Sequence, residues 1–521
     1  MKRLSSILTV IIICGMIAGC SNSDSSLSPA DKLAITANAN DNTVSILDTN
    51  SLSKIGDDIP LSGIWPMEIT LSVDGATAYV VCRDSDSISI IDMAGSSETG
   101  TIALTGTEPT KAVIAGDGFL YVAYRGSDFL SKVDIAADTP AETYQITLTG
   151  DQNYSIAVTP DGLNLYVGAY EYGRLSKVNV NTGSETDYWT AVDDDIPYYI
   201  YDIEIAEDGL AYLASYDRGE IKRWNTTDDT WAESLATGQD YEWMVDLALD
   251  GTMLVGTFNA DGNSGGVVLI DTTADWADYE FAQDDDGSYT VDLPFTFTFN
   301  GKSATEVTVD SNGAVSFNGA TSYETGIETI TGFSPNNENL DSDEEIFNYS
   351  SRTFADHAVF QWSTAMYDDY YNPNTVTIFE VVLGNDGTAR FDYLFSMPGA
   401  IGEDDEYSYG VGDGTNALVN MRATLGSPFN FERQSFLWDP ETPTTMTEEP
   451  FEWEGTGVLH LPVTGQPHGI AMTSDYAFIP LSKDYETGLA STTVQVYDKE
   501  TMLPAGTITV GAGPRAIAIQ P

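Results

Sequence analysis

The chain has 521 residues, with 80 acidic against 21 basic side chains and a formal charge of −59 at pH 7. A surface of that sign repels phosphate backbones and anionic headgroups, which excludes nucleic acid and bare anionic lipid as partners. Three cysteines exclude a disulfide framework: Cys14 and Cys20 belong to the N-terminal stretch, leaving Cys82 alone in the folded part, at the end of an apolar strand where it reads as a small buried hydrophobe.

The first residues read as an address. Lys2 and Arg3 precede an apolar run, Ile7 to Ile13, too short to span a bilayer as a mature helix and shaped like a signal peptide. The run ends Ile17-Ala18-Gly19-Cys20, which resembles a bacterial lipobox. That resemblance implies a signal peptide over residues 1–19, cleavage before Cys20 and lipidation of Cys20, with residues 20–31 as a flexible tether. Acyl chains then hold the protein stably to a membrane. By the same resemblance, Ser21 rather than Asp after the cysteine implies the outer membrane or cell surface if the cell is Gram-negative.

From Leu33 onward the pattern is β. Tyr154 to Val180 shows the unit: an apolar strand, Asp161-Gly162 as a reversal expected to be a two-residue hairpin turn, a second strand through Tyr166-Val167, and a third ending on Asn179. Asp-Gly recurs at Asp74, Asp117, Asp161, Asp208 and Asp250, at intervals of 43, 44, 47 and 42 residues. A period in the forties with four strands per repeat predicts propeller blades. Asn42-Thr43-Val44-Ser45-Ile46-Leu47-Asp48 and the Gly-x-x-Pro of Gly63–Pro66, Gly106–Pro109 and Gly511–Pro514 resemble the YVTN-type β-propeller repeat. The predicted fold is therefore all-β, a seven-bladed propeller. Arg515-Ala516-Ile517-Ala518-Ile519 reads as an innermost strand that completes the blade opened by Leu33-Ala34-Ile35-Thr36.

Residues 275–455 interrupt the period, so the propeller is read as 32–274 and 456–521, with a second domain inserted in blade six after its third strand. Phe295, Phe297 and Phe299 alternate with Thr296 and Thr298, one face dry and one wet. Leu293-Pro294-Phe295-x-Phe297-x-Phe299 followed by Val309-x-Ser311-Asn312-Gly313 resembles the nidogen-like β-sandwich modules of secreted bacterial proteins, which implies extracellular interaction rather than catalysis.

Counting seven residues back from each Asp-Gly turn reaches the top of each innermost strand: Met67, Thr110, Tyr154, Tyr201 and Trp243, then His468 and Arg515 by the last two repeats. One residue further lie Glu68, Lys111, Ser155 and Asp202. Met67, Thr110, Lys111, Tyr154, Tyr201, Trp243, His468 and Arg515 are thus the expected ligand-binding residues of a funnel. Arg83, Arg125, Tyr170, Tyr216, Arg218 and Lys483 are expected around its rim. The insert, hanging from the Asp-Gly face, is expected not to cover this funnel.

Catalytic patterns are scarce: the histidines, His357, His460 and His468, are scattered, and no nucleophile elbow, phosphate loop or haem-attachment motif is present. The primary expectation is a monomeric, non-catalytic binding or scaffold protein for protein or glycan ligands. The alternative is a funnel-based hydrolase of the lactonase-like propeller class using His468, Glu68, Asp202 and Arg515. No cofactor or metal is expected. Acidic clusters at Asp193–Asp195, Asp284–Asp286, Asp341–Glu345 and Glu403–Glu406 raise calcium, but none has the spacing of a calcium loop, and they read as a solvated surface suited to salty water.

Overall fold

The computed structural model describes residues 32–521 apart from 151, 171–172, 195, 216–219, 238–241, 249–250, 259–264, 273–278, 283–287, 300–301, 311–312, 318–327, 336–347, 365–376, 397–406, 414–416, 421–431, 457 and 485–486. The signal peptide, Cys20 and the tether expected from the sequence lie outside the described residues. So do the acidic clusters at 284–286, 341–345 and 403–406, Asp195, and the rim residues Tyr216 and Arg218.

Among the described residues the chain is all-β apart from two short helical segments, Arg83–Ser85 and Ala191–Asp194, and its strands form nine antiparallel sheets. Seven are small. One joins the two ends of the described chain: Ser53–Pro60, Thr43–Asp48 and Leu33–Asn38 are followed by Pro514–Ile519, with Ile35 opposite Ala518. Five follow in order, led by Pro66–Leu71, Pro109–Ile114, Asn153–Val158, Ile200–Ile205 and Glu242–Leu247. The last is led by Gly465–Pro467 and Ala471–Met472.

In most of the small sheets burial peaks at the second strand and falls toward the fourth. Second strands such as Leu120–Tyr124 are wholly buried, whereas fourth strands such as Ser97–Ala103 expose alternate residues. A strand covered on both faces by neighbouring sheets reads as a continuous apolar run, and an outer strand with one wet face alternates. The cores between sheets are accordingly local: Tyr79, Val81 and Ile88 of one sheet pack on Ala112, Leu120 and Val122 of the next. Cys82 is buried in such a core, where burial pushes its thiol up to about 11.

The Asp-Gly reversals differ from the two-residue loop expected from the sequence. Gly162 N–H donates to Thr159 O (2.7 Å) and Thr159 N–H to Asn164 O (2.9 Å), so the loop is longer and Gly occupies its last turn position, at φ +71°. The aspartate caps the turn from inside: Asp161 Oδ1 accepts from the Leu163 N–H (2.9 Å) and the Thr159 hydroxyl (2.6 Å). Asp74, Asp117 and Asp208 likewise accept from the amide two residues on. The third strands end on the same chemistry, with Asp48, Asp92 and Asp134 accepting the amides two and three residues on. Both recurring motifs are therefore Asx turns, in which a carboxylate satisfies amides that a sheet edge leaves open.

The remaining two sheets lie in sequence between Gly265–Asp271 and its partner strand Val458–Pro462. One has seven strands and the other six. They face each other across one apolar core, with Phe297, Val307 and Val309 from the smaller sheet against Phe360, Trp362, Phe379 and Phe391 from the larger. The return segment is clamped to the larger sheet. Glu380 accepts the Glu454 and Gly455 amides (2.9 and 2.8 Å), Gln361 accepts the Thr456 amide (3.2 Å), and Arg390 bridges Asp392, Glu452 and Glu454. His357 adds contacts to Asp356 (2.8 Å) and Glu454 (2.6 Å). Ile378 and Leu394 of the larger sheet share a core with Met244, Leu254 and Val267 of the small sheet that carries it.

Two turn glycines separate backbone strain from crowding. Gly118 (φ +80°) has open space where a Cβ would go, whereas a Cβ on Gly162 (φ +71°) would lie 2.6 Å from Gly116 Cα. Gly118→Ala should destabilise by about 1 kcal/mol, from the left-handed backbone alone. Gly162→Ala should cost clearly more, about 2–3 kcal/mol, because backbone of the next sheet must move. Thermal unfolding of the two variants side by side checks the ranking.

Candidate functional site

The seven residues counted back from the turns share one structural feature. In six sheets the pairing between the innermost strand and its neighbour skips a residue near the strand's start, and the skipped residues are Met67, Thr110, Tyr154, Tyr201, Trp243 and Arg515. In the seventh the innermost strand breaks between Pro467 and Ala471, at His468. A residue left out of the ladder turns its side chain away from the sheet's regular alternation. Just before it, four of these strands carry a left-handed non-glycine residue: Trp65 (φ 60°), Glu108 (φ 52°), Gln152 (φ 56°) and Tyr199 (φ 53°). Such backbone is uncommon for non-glycine residues and needs a surrounding structure that enforces it.

These irregularities assemble an aromatic surface. Tyr201 lies 4.2 Å from Trp243 and 5.3 Å from Tyr154 between ring centres, and Trp243 lies 5.2 Å from His468. Tyr170 packs on Tyr154, Tyr199 and Tyr201 at 5.5, 5.3 and 5.4 Å. Arginines cover it: Arg125 sits 4.8 Å over Tyr170, while Arg83 and Arg515 lie 5.2 and 5.3 Å from the Trp65 ring. Each of these is a cation–π geometry. Burial, aided by Arg515, lowers the His468 pKa well below its ordinary value, so the imidazole is neutral.

Beneath lies a cavity of about 120 Å³, lined by Glu68, Lys111, Asp202, Glu204, Asp246 and His468 among others. Lys111 pairs with Asp202, a residue 91 positions away in sequence. Burial disfavours the lysine's charge, but Asp202, Glu68 and Glu204 outweigh it and raise its pKa. The other carboxyls are driven toward neutrality. Burial raises Glu68 to about 7, Glu204 to about 8 and Asp246 to about 7, with Lys111 opposing and Asp202 adding to the rise in each. Among the described residues no three His, Cys, Asp or Glu side chains gather closely enough to hold a metal ion.

The sequence-derived residues divide by depth. Tyr154, Tyr201, Trp243, His468 and Arg515 form the mouth; Glu68, Lys111 and Asp202 lie in the cavity. Thr110 is buried, its hydroxyl bonded to the Tyr154 and Ala123 carbonyls (2.6 and 3.3 Å), and the Ser155 hydroxyl is bonded to Ile200 O (3.3 Å). Both serve as ties between sheets. Met67 is half-buried beside Glu68. Sequence reasoning missed Glu204 and Asp246, although Glu204 follows Asp202 at the two-residue period that keeps a strand on one face. It also missed Trp65 and Tyr199.

A family model described as NIDO related matches residues 263–345, the stretch that includes the Leu293–Phe299 and Val309–Gly313 motifs. No curated protein matches the chain. Among solved structures, Kuenenia stuttgartiensis hydrazine synthase aligns at 14% identity and a TM-score of 0.39, over 88% of this chain and 89% of that one. A protein of unknown function from Bacteroides caccae aligns at 14% identity and a TM-score of 0.38, over 47% of this chain and 91% of that one.

The cavity carboxyls make stability pH-dependent. Each has a folded pKa raised above its unfolded value, so its favourable contribution is complete below the unfolded pKa and is lost as pH rises through about 7 to 8. His468, with a lowered pKa, acts oppositely and only below its unfolded pKa of about 6.5. Between about pH 6.5 and 8.5 the melting temperature should therefore fall, and Glu204→Gln should flatten that slope by on the order of 1 kcal/mol. Thermal melts across this window check it.

Proposed function

We propose that the seven small sheets are the blades of a YVTN-type propeller, joined where Leu33–Asn38 pairs with Pro514–Ile519, and that the protein binds a protein or glycan ligand at the funnel mouth without catalysing a reaction. The two large sheets are a nidogen-like sandwich inserted in blade six at about residues 275–455. The whole is a lipoprotein of the cell envelope, lipidated on Cys20. The contact order of the innermost strands supports the propeller reading: Pro66–Leu71 lies between Pro109–Ile114 and Pro514–Ile519, and the others follow in sequence order.

The observation that carries the binding reading is the run of rings Tyr170, Tyr154, Tyr201, Trp243 and His468 at one end of the innermost strands. A soluble fold has little use for so many linked rings around a concavity, whereas flat faces with polar tips suit sugars and peptide side chains. In a hairpin-built blade, the loops carrying Arg83, Arg125 and Tyr170 share this end with the passages carrying Trp65 and Tyr199. The insertion point, after Asp271, lies at the opposite end, which leaves the mouth open. The lipoprotein reading rests on Lys2, Arg3, the Ile7 to Ile13 run and Ile17–Cys20.

A hydrolase is the second reading. Glu68, held near neutral pKa, and the neutral His468 line one cavity, the pairing that acid–base chemistry requires. Turnover of a lactone panel by the wild-type chain, abolished in His468→Ala, would favour it over simple binding.

The binding reading predicts that Trp243→Ala and Tyr201→Ala each weaken a ligand found on a glycan and envelope-protein array by about tenfold or more, without altering the fold. Array binding that survives both substitutions, and instead follows substitutions in the 275–455 sheets, would move the working surface to the insert.

A further inference from the structure

The mouth concentrates positive charge in a chain that is otherwise short of it. Most described basic side chains in the small sheets are neutralised locally: Lys54 by Asp58, Lys132 by Asp117, Lys177 by Asp229, Lys111 by Asp202. With 80 carboxylates available, such pairing is the default outcome. Arg125 and Arg515 depart from it. Among the described residues neither guanidinium has an ion pair, and Arg515 Nε is buried without a hydrogen-bond partner. Arg83 pairs with Asp84 through Nε (2.7 Å) and shares the Trp65 ring with Arg515.

The three arginines lie around one set of rings. Arg83 and Arg515 share the Trp65 ring, Arg125 lies over Tyr170, which packs on Tyr154, and burial and the charge of Arg83 both disfavour the charged form of Arg515. Arg83 is offset by Asp84, but Arg125 and Arg515 are held against aromatic faces with no such counterpart among the described residues, an arrangement that an anion would complete. A guanidinium stacked on a ring keeps its in-plane donors free, and those donors match a carboxylate in a bidentate fork. Of the adjoining rings, Tyr201 is buried (7% exposed) among Tyr154, Tyr170 and Trp243 and backs them, while the half-buried Trp243 offers the face on which a pyranose can lie. The cavity below, with Glu68, Glu204 and Asp246 close to neutral, presents hydroxyl and carboxyl groups able to bond sugar hydroxyls.

We propose that the ligand of the mouth is a carboxylated saccharide of the uronic-acid type, its carboxylate held by Arg125 and Arg515 and its ring stacked on Trp243, which Tyr201 backs. This rests on the reading of the mouth as the binding surface and specifies the chemistry that it selects. The net charge of −59 does not prevent it: at physiological ionic strength the Debye length is about 8 Å, so a ligand at the mouth senses the nearby arginines more than the distant acidic surface.

The test is calorimetric titration of the purified full-length chain with oligogalacturonate, with a neutral galactose oligomer of the same length, and with malonate, a dicarboxylate without a ring. The proposal expects oligogalacturonate to bind and both others to bind at least tenfold more weakly. Arg125→Gln and Arg515→Gln should each reduce oligogalacturonate affinity about tenfold or more, and Arg515→Lys should recover only part of it, because charge returns without the fork. Circular dichroism and melting temperature of each variant establish that it folds. Equal binding of the neutral oligomer, lost in Trp243→Ala, would overturn the anionic class while leaving the mouth as the binding surface. Binding of oligogalacturonate unaffected by both the arginine and the Trp243 substitutions would overturn both readings. Absence of binding to oligogalacturonate in a chain that melts cooperatively would overturn the proposal.

Discussion

The innermost strands of seven separate sheets lie side by side without pairing with one another. Each therefore presents an unfinished edge among largely buried residues, where an unsatisfied amide or carbonyl is costly. Side chains answer that constraint. The Thr70 hydroxyl donates to Ala112 O (2.7 Å), Thr110 to Tyr154 O (2.6 Å), and Ser155 to Ile200 O (3.3 Å). Asp202 accepts the Val245 amide (3.2 Å) and Asp246 the Met472 amide. The polar residues that line the centre are there first because edges need partners.

That requirement accounts for the character of the site. Asp202 and Asp246, which hold amides of the neighbouring sheet, share one cavity with Glu68 and Glu204, and burial drives Glu68, Glu204 and Asp246 toward the neutral form; Lys111 offsets part of the excess through Asp202. At the start of six innermost strands the backbone drops a residue from the ladder, in four of them after a left-handed non-glycine residue. The dropped residues point where no regular strand would aim them. The same skip in the ladder thus delivers Tyr154, Tyr201, Trp243 and Arg515 to one end of the innermost strands.

Much of this was legible because repeats share geometry. Fixed spacing from each Asp-Gly turn placed equivalent residues at equivalent points, so Trp243 and Tyr201 could be paired on paper although 42 residues separate them. The alternation of Phe295, Phe297 and Phe299 likewise announced a sheet with one buried face. What the sequence hid was backbone conformation. Nothing in the identities of Trp65 or Tyr199 marks a left-handed residue, since that conformation is imposed by neighbouring sheets rather than preferred by the side chain. The turn type was misread for a related reason: Asp-Gly suits a two-residue reversal, yet the preceding Ser72 and Thr159 complete a longer Asx turn that satisfies more donors. The pairing of Lys111 with Asp202 joins the innermost strands of two different sheets and has no local signal.

The central claim is that the mouth at the head of the innermost strands is the working surface. Hydrogen exchange of the full-length chain, with and without saturating oligogalacturonate, tests it most directly. The account predicts slowed exchange confined to residues 62–68, 105–111, 123–126, 152–155, 196–202, 242–245 and 511–516, with the strands of the two large sheets unchanged. Protection within residues 279–449 while the mouth exchanges as before would contradict it.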